Sequence, residues 1–208
     1  MEMLMNKKEI VPNVFLVDFE SQLELTSTFL RFQEYYESPE FKGRIFTLEE
    51  FKKWYIEKKG KFSYYTDWNG FNIPSGILTT FREGSFDPLS TLETSFLGIF
   101  EDVEEPFYVI GTHKEYPKEK IENLIQHETA HGLFYTNSDY KNEVLQILEK
   151  YNHAELFLWL EFLGGYHPDV FLDEAHAYGL SPSKKGPTID PGLTRELKEI
   201  FNRYVTQK

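Results

Sequence analysis

Two histidines and a glutamate stand in the order His-Glu-x-x-His in the second half of the chain, as His127, Glu128 and His131. On a helix, residues four positions apart project from the same face, so both imidazoles can bind one metal ion. A zinc ion held by two imidazoles and a third protein ligand keeps one position for water, whose pKa it lowers towards about 7. Glu128 would then accept the proton and pass it to a leaving amine. The spacing predicts metal-assisted hydrolysis.

The residues before this motif predict the helix that the chemistry needs. Pro117 suits a first helical turn, and Glu119 lies where the positive end of the helix dipole favours an acidic residue. Apolar side chains then recur at helical spacing, as Ile121, Leu124 and Ile125. The competing interpretation is that two core histidines and a solvated glutamate share this spacing by chance, without any metal.

A catalytic zinc site needs a third protein donor, usually from a separate element. The chain has no cysteine, so only histidine and carboxylate side chains can serve. The metzincin pattern requires a third histidine six residues after His131, where Asn137 stands. The aspzincin pattern requires an aspartate three residues before a Tyr-Gly pair, and Ala175 stands there. Neither pattern fits.

Two further candidates for the third ligand are His113 and Glu174. His113 lies at the end of a predicted strand before the motif, between neighbours that give no reason to prefer it. Glu174 lies on a predicted helix, 43 residues after His131, in the run Asp173 to Tyr178 (DEAHAY). We choose Glu174.

With these residues the chain resembles zinc metallopeptidases of the gluzincin type, the thermolysin-like group, in which a glutamate from a later helix completes HExxH. The DEAHAY run is similar to the NExxSD-like signature of that group, with Asp173 and Glu174 standing where the asparagine and the ligand glutamate stand. The resemblance covers roughly residues 107–179. It implies zinc as cofactor, a peptide or protein substrate, Glu128 as general base and three metal ligands: His127, His131 and Glu174.

The sequence departs from this family at Tyr178, where an acidic residue usually orients the first ligand histidine. Tyr178 lies four residues after Glu174, so its hydroxyl can bond a ligand or stabilise the oxyanion as a catalytic residue. A core tyrosine with a satisfied hydroxyl is the alternative. Tyr166, His167 and His176 are weaker candidates for oxyanion stabilisation.

Composition limits the classes of partner. The 208 residues carry a net charge of −12, and the basic residues are scattered, which disfavours binding to nucleic acid. The longest apolar run, Leu156 to Leu160, is too short to span a bilayer, and the first ten residues have no long apolar region behind a basic start. We expect a soluble cytoplasmic protein that binds neither nucleic acid nor membranes. The oligomeric state stays open.

The predicted fold is α+β and zincin-like: a small, mostly antiparallel sheet covered by helices, followed by a mainly helical C-terminal half. We expect one domain over residues 1–208, with a mixed half at 1–116 and a helical half carrying the metal site at 117–208. Strands are predicted at Val14 to Phe19 and Phe107 to Thr112, and an antiparallel hairpin or edge strands within Lys61 to Phe86.

By the resemblance, the strand Phe107 to Thr112 borders the cleft and pairs with an extended peptide. A rival interpretation is a catalytically silent zincin-like scaffold that binds metal or a protein partner. This rival is favoured if the segment Asn72 to Gly76 (NIPSG) closes the cleft.

Overall fold

A computed structural model describes residues 5–163, 166–183 and 185–206 and shows an α+β fold, as predicted. Within these residues one sheet has the order β1-β2-β4-β3. Its strands are β1 (Asn6–Val11), β2 (Val14–Phe19), β3 (Phe71–Pro74) and β4 (Tyr108–His113). The two outer pairings are antiparallel and the central β2–β4 pairing is parallel, so the sheet is mixed.

Helices surround this sheet and make up almost all of the C-terminal half. Those before the metal motif are α1 (Gln22–Glu37), α2 (Leu48–Lys59), α3 (Tyr64–Asp67), α4 (Gly76–Arg82) and α5 (Thr91–Gly98). Those from the motif onward are α6 (Lys118–Thr136), α7 (Ser138–Leu148), α8 (Ala154–Leu163), α9 (Phe171–Leu180) and α10 (Pro191–Val205). None of the helices in the described ranges is long and apolar enough to cross a membrane.

Strand β1 is not predicted from the sequence, because its residues, NKKEIV, are mostly polar and exposed. A two-residue turn connects it to β2, with Val11 opposite Val14. Asn13 has a positive φ of 62°, and Pro12 precedes it. A proline followed by an asparagine in the left-handed backbone conformation is typical of a type II turn, which holds β1 against β2.

Of the two alternatives predicted between Lys61 and Phe86, the hairpin is wrong, whereas one edge strand forms, β3. This segment forms α3, the single strand β3 and α4, and β3 pairs with β4 instead of with a neighbouring strand. The aromatic residues of this segment are largely buried in the core, among them Tyr64, Phe71 and Phe81. Their apolar character therefore reflects packing rather than a second strand.

Alternate residues of the strands face opposite sides of the sheet, and both sides are covered. Val17 and Val109 belong to an aromatic-rich cluster that packs against α1, α4 and α5. Val14 and Ile110 belong to a second cluster, packed against α6, α7, α9 and α10. The metal motif on α6 therefore lies on the second side of the sheet.

Two glycines let the helices of the second side pack closely. A Cβ on Gly132 would lie 2.8 Å from the methyl groups of Val14, and a Cβ on Gly179 would lie 2.6 Å from Leu197 Cδ1. Gly132 therefore allows α6 to approach the sheet directly beside His131, and Gly179 allows α9 to approach α10.

Candidate metal centre

Helices α6 and α9 pack side by side and bring the three predicted ligands together. The Nε2 atoms of His127 and His131 lie 3.3 Å apart. The nearest oxygens of Glu174 lie 3.9 Å from His127 Nε2 and 3.6 Å from His131 Nε2. The i, i+4 spacing on α6 and the start of α9 together produce this arrangement.

The geometry fits a metal ion. Ligand atoms about 2.0–2.1 Å from a tetrahedral zinc lie about 3.3–3.4 Å from one another, close to the observed separations. Glu174 is buried, and its Oε2 has no hydrogen-bond partner. A buried carboxylate oxygen without a partner, beside two ring nitrogens, offers itself to a cation. The group of His127, His131 and Glu174 could therefore hold a metal ion.

Each of the two rings faces an oxygen acceptor. Asp173 Oδ1 lies 3.0 Å from His131 Nδ1, and the ring of His127 faces the backbone carbonyl of Ala177. Such partners fix the ring orientation and leave Nε2 for the metal. The sequence suggested a missing acidic residue at Tyr178, but Asp173 supplies the carboxylate, to the second histidine rather than to the first.

Burial and the neighbouring carboxylates set the charge of the two histidines. Burial and the charge of His131 lower the pKa of His127 to about 3, which leaves this imidazole neutral. Burial also acts to lower the pKa of His131, but Asp173 and Glu174 outweigh it and hold the pKa well above its usual range. Because a metal binds neutral imidazole, binding here is expected to release a proton.

Glu128, the predicted general base, is buried and does not belong to the ligand group. Asn72 Nδ2 donates to Glu128 Oε2 at 2.5 Å, and the hydroxyl of Tyr108 donates to Asn72 Oδ1. Burial raises the pKa of Glu128, while His131 and the Asn72 hydrogen bond oppose that rise. Asn72 lies in β3, and nothing in the sequence indicates its contact with Glu128.

The assignment of the cleft-bordering strand to Phe107 to Thr112 is wrong. Strand β4 contains most of this segment, and it is hydrogen-bonded to β2 on one side and to β3 on the other. It has no free edge for a peptide. Strand β3 lies at one edge of the sheet and contacts α6.

Tyr178 lies at the site, and its hydroxyl points to another tyrosine. Its ring centroid is 4.8 Å from that of His127 and 5.1 Å from that of Trp159. The hydroxyl oxygen lies 3.2 Å from the hydroxyl oxygen of Tyr166. Burial and the charge of Glu174 raise the pKa of Tyr178 to about 12, so the hydroxyl keeps its proton at neutral pH.

The other histidines considered from the sequence do not join the ligand group. His113 is buried at the end of β4, with Nε2 3.3 Å from Asn69 Oδ1. His176 lies behind Asp173, and its Nε2 is 2.7 Å from the hydroxyl of Tyr140. His167 caps the short 3₁₀ helix Pro168–Val170.

Glu37, the last residue of α1, is a further buried acidic residue that interacts with the site. Burial raises the pKa of Glu37 to about 8, and a hydrogen bond from Gln33 opposes this rise. The charges of His131 and Glu128 act on the same carboxyl. Glu37 therefore adds a further acidic group near the candidate centre.

Comparisons with known protein families, with curated proteins and with solved structures find no match to this chain. A fold alone does not determine a function, because one fold supports many chemistries. Only the geometry of the site therefore bears on the function.

Proposed function

We propose that the protein is a zinc metallopeptidase of the gluzincin type, which hydrolyses peptide bonds. The observation that carries this proposal is the convergence of His127, His131 and Glu174 from two helices, with Glu128 beside them but outside the group. Two imidazoles and a carboxylate are a typical ligand set of catalytic zinc.

Each residue has a role that follows from its position. Zinc held by these ligands would polarise the peptide carbonyl and acidify a water molecule. Glu128 accepts a proton from the attacking water and passes it to the leaving amine. Tyr178 keeps its proton and can donate a hydrogen bond to the oxyanion.

The peptide substrate is expected to bind along β3. This strand is outermost in the sheet, contacts α6 and carries Asn72 beside Glu128. An extended peptide adds to such an edge through backbone hydrogen bonds. The acidic net charge argues against a nucleic-acid substrate.

A catalytically silent scaffold that binds metal is the second candidate. The observation that favours it is burial, because Glu128 is only 7% exposed and the side chain of His127, the most exposed of the three ligands, only 16%. In addition, the hydrogen bond from Asn72 occupies one oxygen of Glu128. A metal so enclosed can stabilise the fold without turnover.

Digestion of a mixed peptide library by the zinc-reconstituted protein separates these two functions. Mass spectrometry should detect new peptide termini, and the matched variant Glu128→Gln should keep one zinc per chain yet lose about 10²–10⁴-fold in turnover, because an amide cannot accept the proton. Zinc binding without any cleavage would support the scaffold. A Glu128→Gln variant that cleaves as well as its parent would contradict the proposed mechanism, and one that loses its zinc would place Glu128 among the ligands.

A further inference from the structure

Three polar side chains from three elements form a row that ends at the proposed general base. Tyr108 on β4 donates its hydroxyl proton to Asn72 Oδ1, and Asn72 on β3 donates through Nδ2 to Glu128 on α6. Tyr108 is 1% exposed. The row is therefore anchored at the sheet, whose strands hold two of its three members.

The direction of these hydrogen bonds is fixed by chemistry. The phenol of Tyr108 is buried, which raises its pKa well above the usual value, so it remains a donor. If the amide of Asn72 were reversed, its oxygen would face the Glu128 carboxylate about 2.5 Å away and two acceptors would be in contact. The orientation with Nδ2 towards Glu128 therefore satisfies all three groups.

We propose that Asn72 is a positioning residue, which holds Oε2 of Glu128 and leaves Oε1 for the proton of the attacking water. This inference rests on the proposed hydrolysis. A glutamate carboxylate rotates freely unless something holds it, and a general base works only when one oxygen points at the proton that it removes. Tyr108 acts indirectly, because its hydrogen bond to Oδ1 prevents the side-chain amide of Asn72 from flipping.

A purely structural role for Asn72 would have different consequences. If the amide only satisfied a buried carboxylate, its removal would lower stability and would lower activity by the same factor whatever residue occupies position 128. If it positions the base, its removal lowers turnover only while Glu128 is present. The two roles therefore differ in how the substitutions combine.

The test compares Asn72→Ala and Asn72→Asp in the zinc-loaded full chain. Aspartate keeps the shape of asparagine but cannot donate when ionised. We expect kcat to fall about 10–100-fold in both variants, with KM and zinc content unchanged. Tyr108→Phe should lower kcat less, and the matched control Asn69→Asp, which does not touch Glu128, should leave kcat unchanged.

In a Glu128→Gln background, Asn72→Ala should lower the residual turnover no further. An equal loss in both backgrounds, or a kcat of Asn72→Ala equal to that of the wild type, would overturn the proposal.

A crystal structure of zinc-loaded Asn72→Ala gives a readout that does not depend on activity. The Glu128 carboxylate should leave its wild-type position or lose a single orientation, and an unchanged carboxylate would overturn the proposal. A wild-type protein that hydrolyses nothing would contradict the proposed peptidase function instead. The position of the carboxylate would still decide whether Asn72 positions Glu128.

Discussion

Two buried glutamates on opposite sides of the sheet differ in the partners of their carboxylates. Glu93 on α5 is 3% exposed and Glu174 on α9 is 4% exposed. Both oxygens of Glu93 are paired with the guanidinium of Arg31, at 2.7 Å and 2.6 Å, and one also accepts the backbone N–H of Ser90. Glu174 faces two imidazoles, and its Oε2 has no hydrogen-bond partner.

The two regions differ in whether the chain itself supplies a lysine or arginine to pair with the buried carboxylate. Burying a carboxylate is costly unless a cation or several hydrogen bonds compensate it. The N-terminal side supplies its own cation, Arg31, so Glu93 serves the fold. On the C-terminal side no lysine or arginine of the described residues pairs with Glu174. That arrangement suits a cation that is not part of the chain.

The largest expected effect on stability comes from breaking the ion pair of Arg31 and Glu93. Arg31→Met should destabilise the protein by about 3–5 kcal/mol, because it leaves Glu93 buried and unpaired, while zinc content stays the same. Urea denaturation measures the loss of stability. The double variant Arg31→Met/Glu93→Met is the control and should recover most of it. A loss of zinc in Arg31→Met would show that the two regions are not independent.

The stability effect of zinc should depend on Glu174. At free zinc 100–1,000 times its Kd, the wild type should gain about 2.7–4.1 kcal/mol over the metal-free protein, and Glu174→Gln should lose most of this gain. Thermal unfolding with zinc and with a chelator measures the difference. In the presence of the chelator Glu174→Gln should be at least as stable as the wild type, because it removes a buried carboxylate that pairs with no lysine or arginine of the described residues. Glu93→Gln should be destabilised under both conditions, and the opposite pattern would contradict the comparison.

A third carboxyl, that of Glu34 on α1, pairs with no cationic side chain of the described residues and lies outside the candidate metal group. Burial raises its pKa to about 7 from the usual 4.5, and the hydroxyls of Tyr64 and Ser38 oppose the rise. The folded protein thus binds more protons than the unfolded chain between these pH values. The contribution of Glu34 to stability is complete below about pH 4.5 and is lost as the pH rises through 7.

The matched variant for this third carboxyl is Glu34→Gln. It should equal the wild type in stability near pH 4.5 and exceed it by up to roughly 3 kcal/mol at pH 8, as measured by denaturation across this range. Equal stabilities at pH 8 would show that Glu34 ionises without cost.

The smallest expected effect concerns the residue that orients a ligand. Asp173→Asn should weaken zinc binding about 10–100-fold without abolishing it, because His131 loses a charged partner but keeps its place on α6. Competition with a fluorescent chelator measures the affinity. His113→Ala is the control and should bind zinc as the wild type does. Complete loss of zinc in Asp173→Asn would make Asp173 a ligand.

The parts that the sequence predicts well are local. Thr47 with Glu50 and Ser90 with Glu93 have the Ser/Thr-x-x-Glu spacing that predicts a capping box, and both boxes form. The sequence also predicts a helix from about Ala154 to Leu163, and α8 has these bounds. The end predicted for it at Gly164-Gly165 lies outside the described residues. These features depend on residues within one or two helical turns, whose spacing is visible in the chain.

The parts that the sequence does not predict are contacts between distant segments. The pairing of β3 with β4 and the contact of Asn72 with Glu128 join segments far apart in the chain. The i, i+4 spacing brings His127 and His131 together, but only the packing of α9 shows that Asp173 faces a ring and Glu174 faces both Nε2 atoms.

The most direct test of the metal site is anomalous diffraction at the zinc absorption edge from crystals of the zinc-reconstituted protein. We predict one peak per chain, about 2.0–2.2 Å from Nε2 of His127, Nε2 of His131 and an oxygen of Glu174. Crystals of Glu174→Ala treated in the same way should show the peak weakened or absent. No peak in the wild type, or a peak held by other residues while Glu174 points elsewhere, would contradict the assignment of these three residues as the metal ligands.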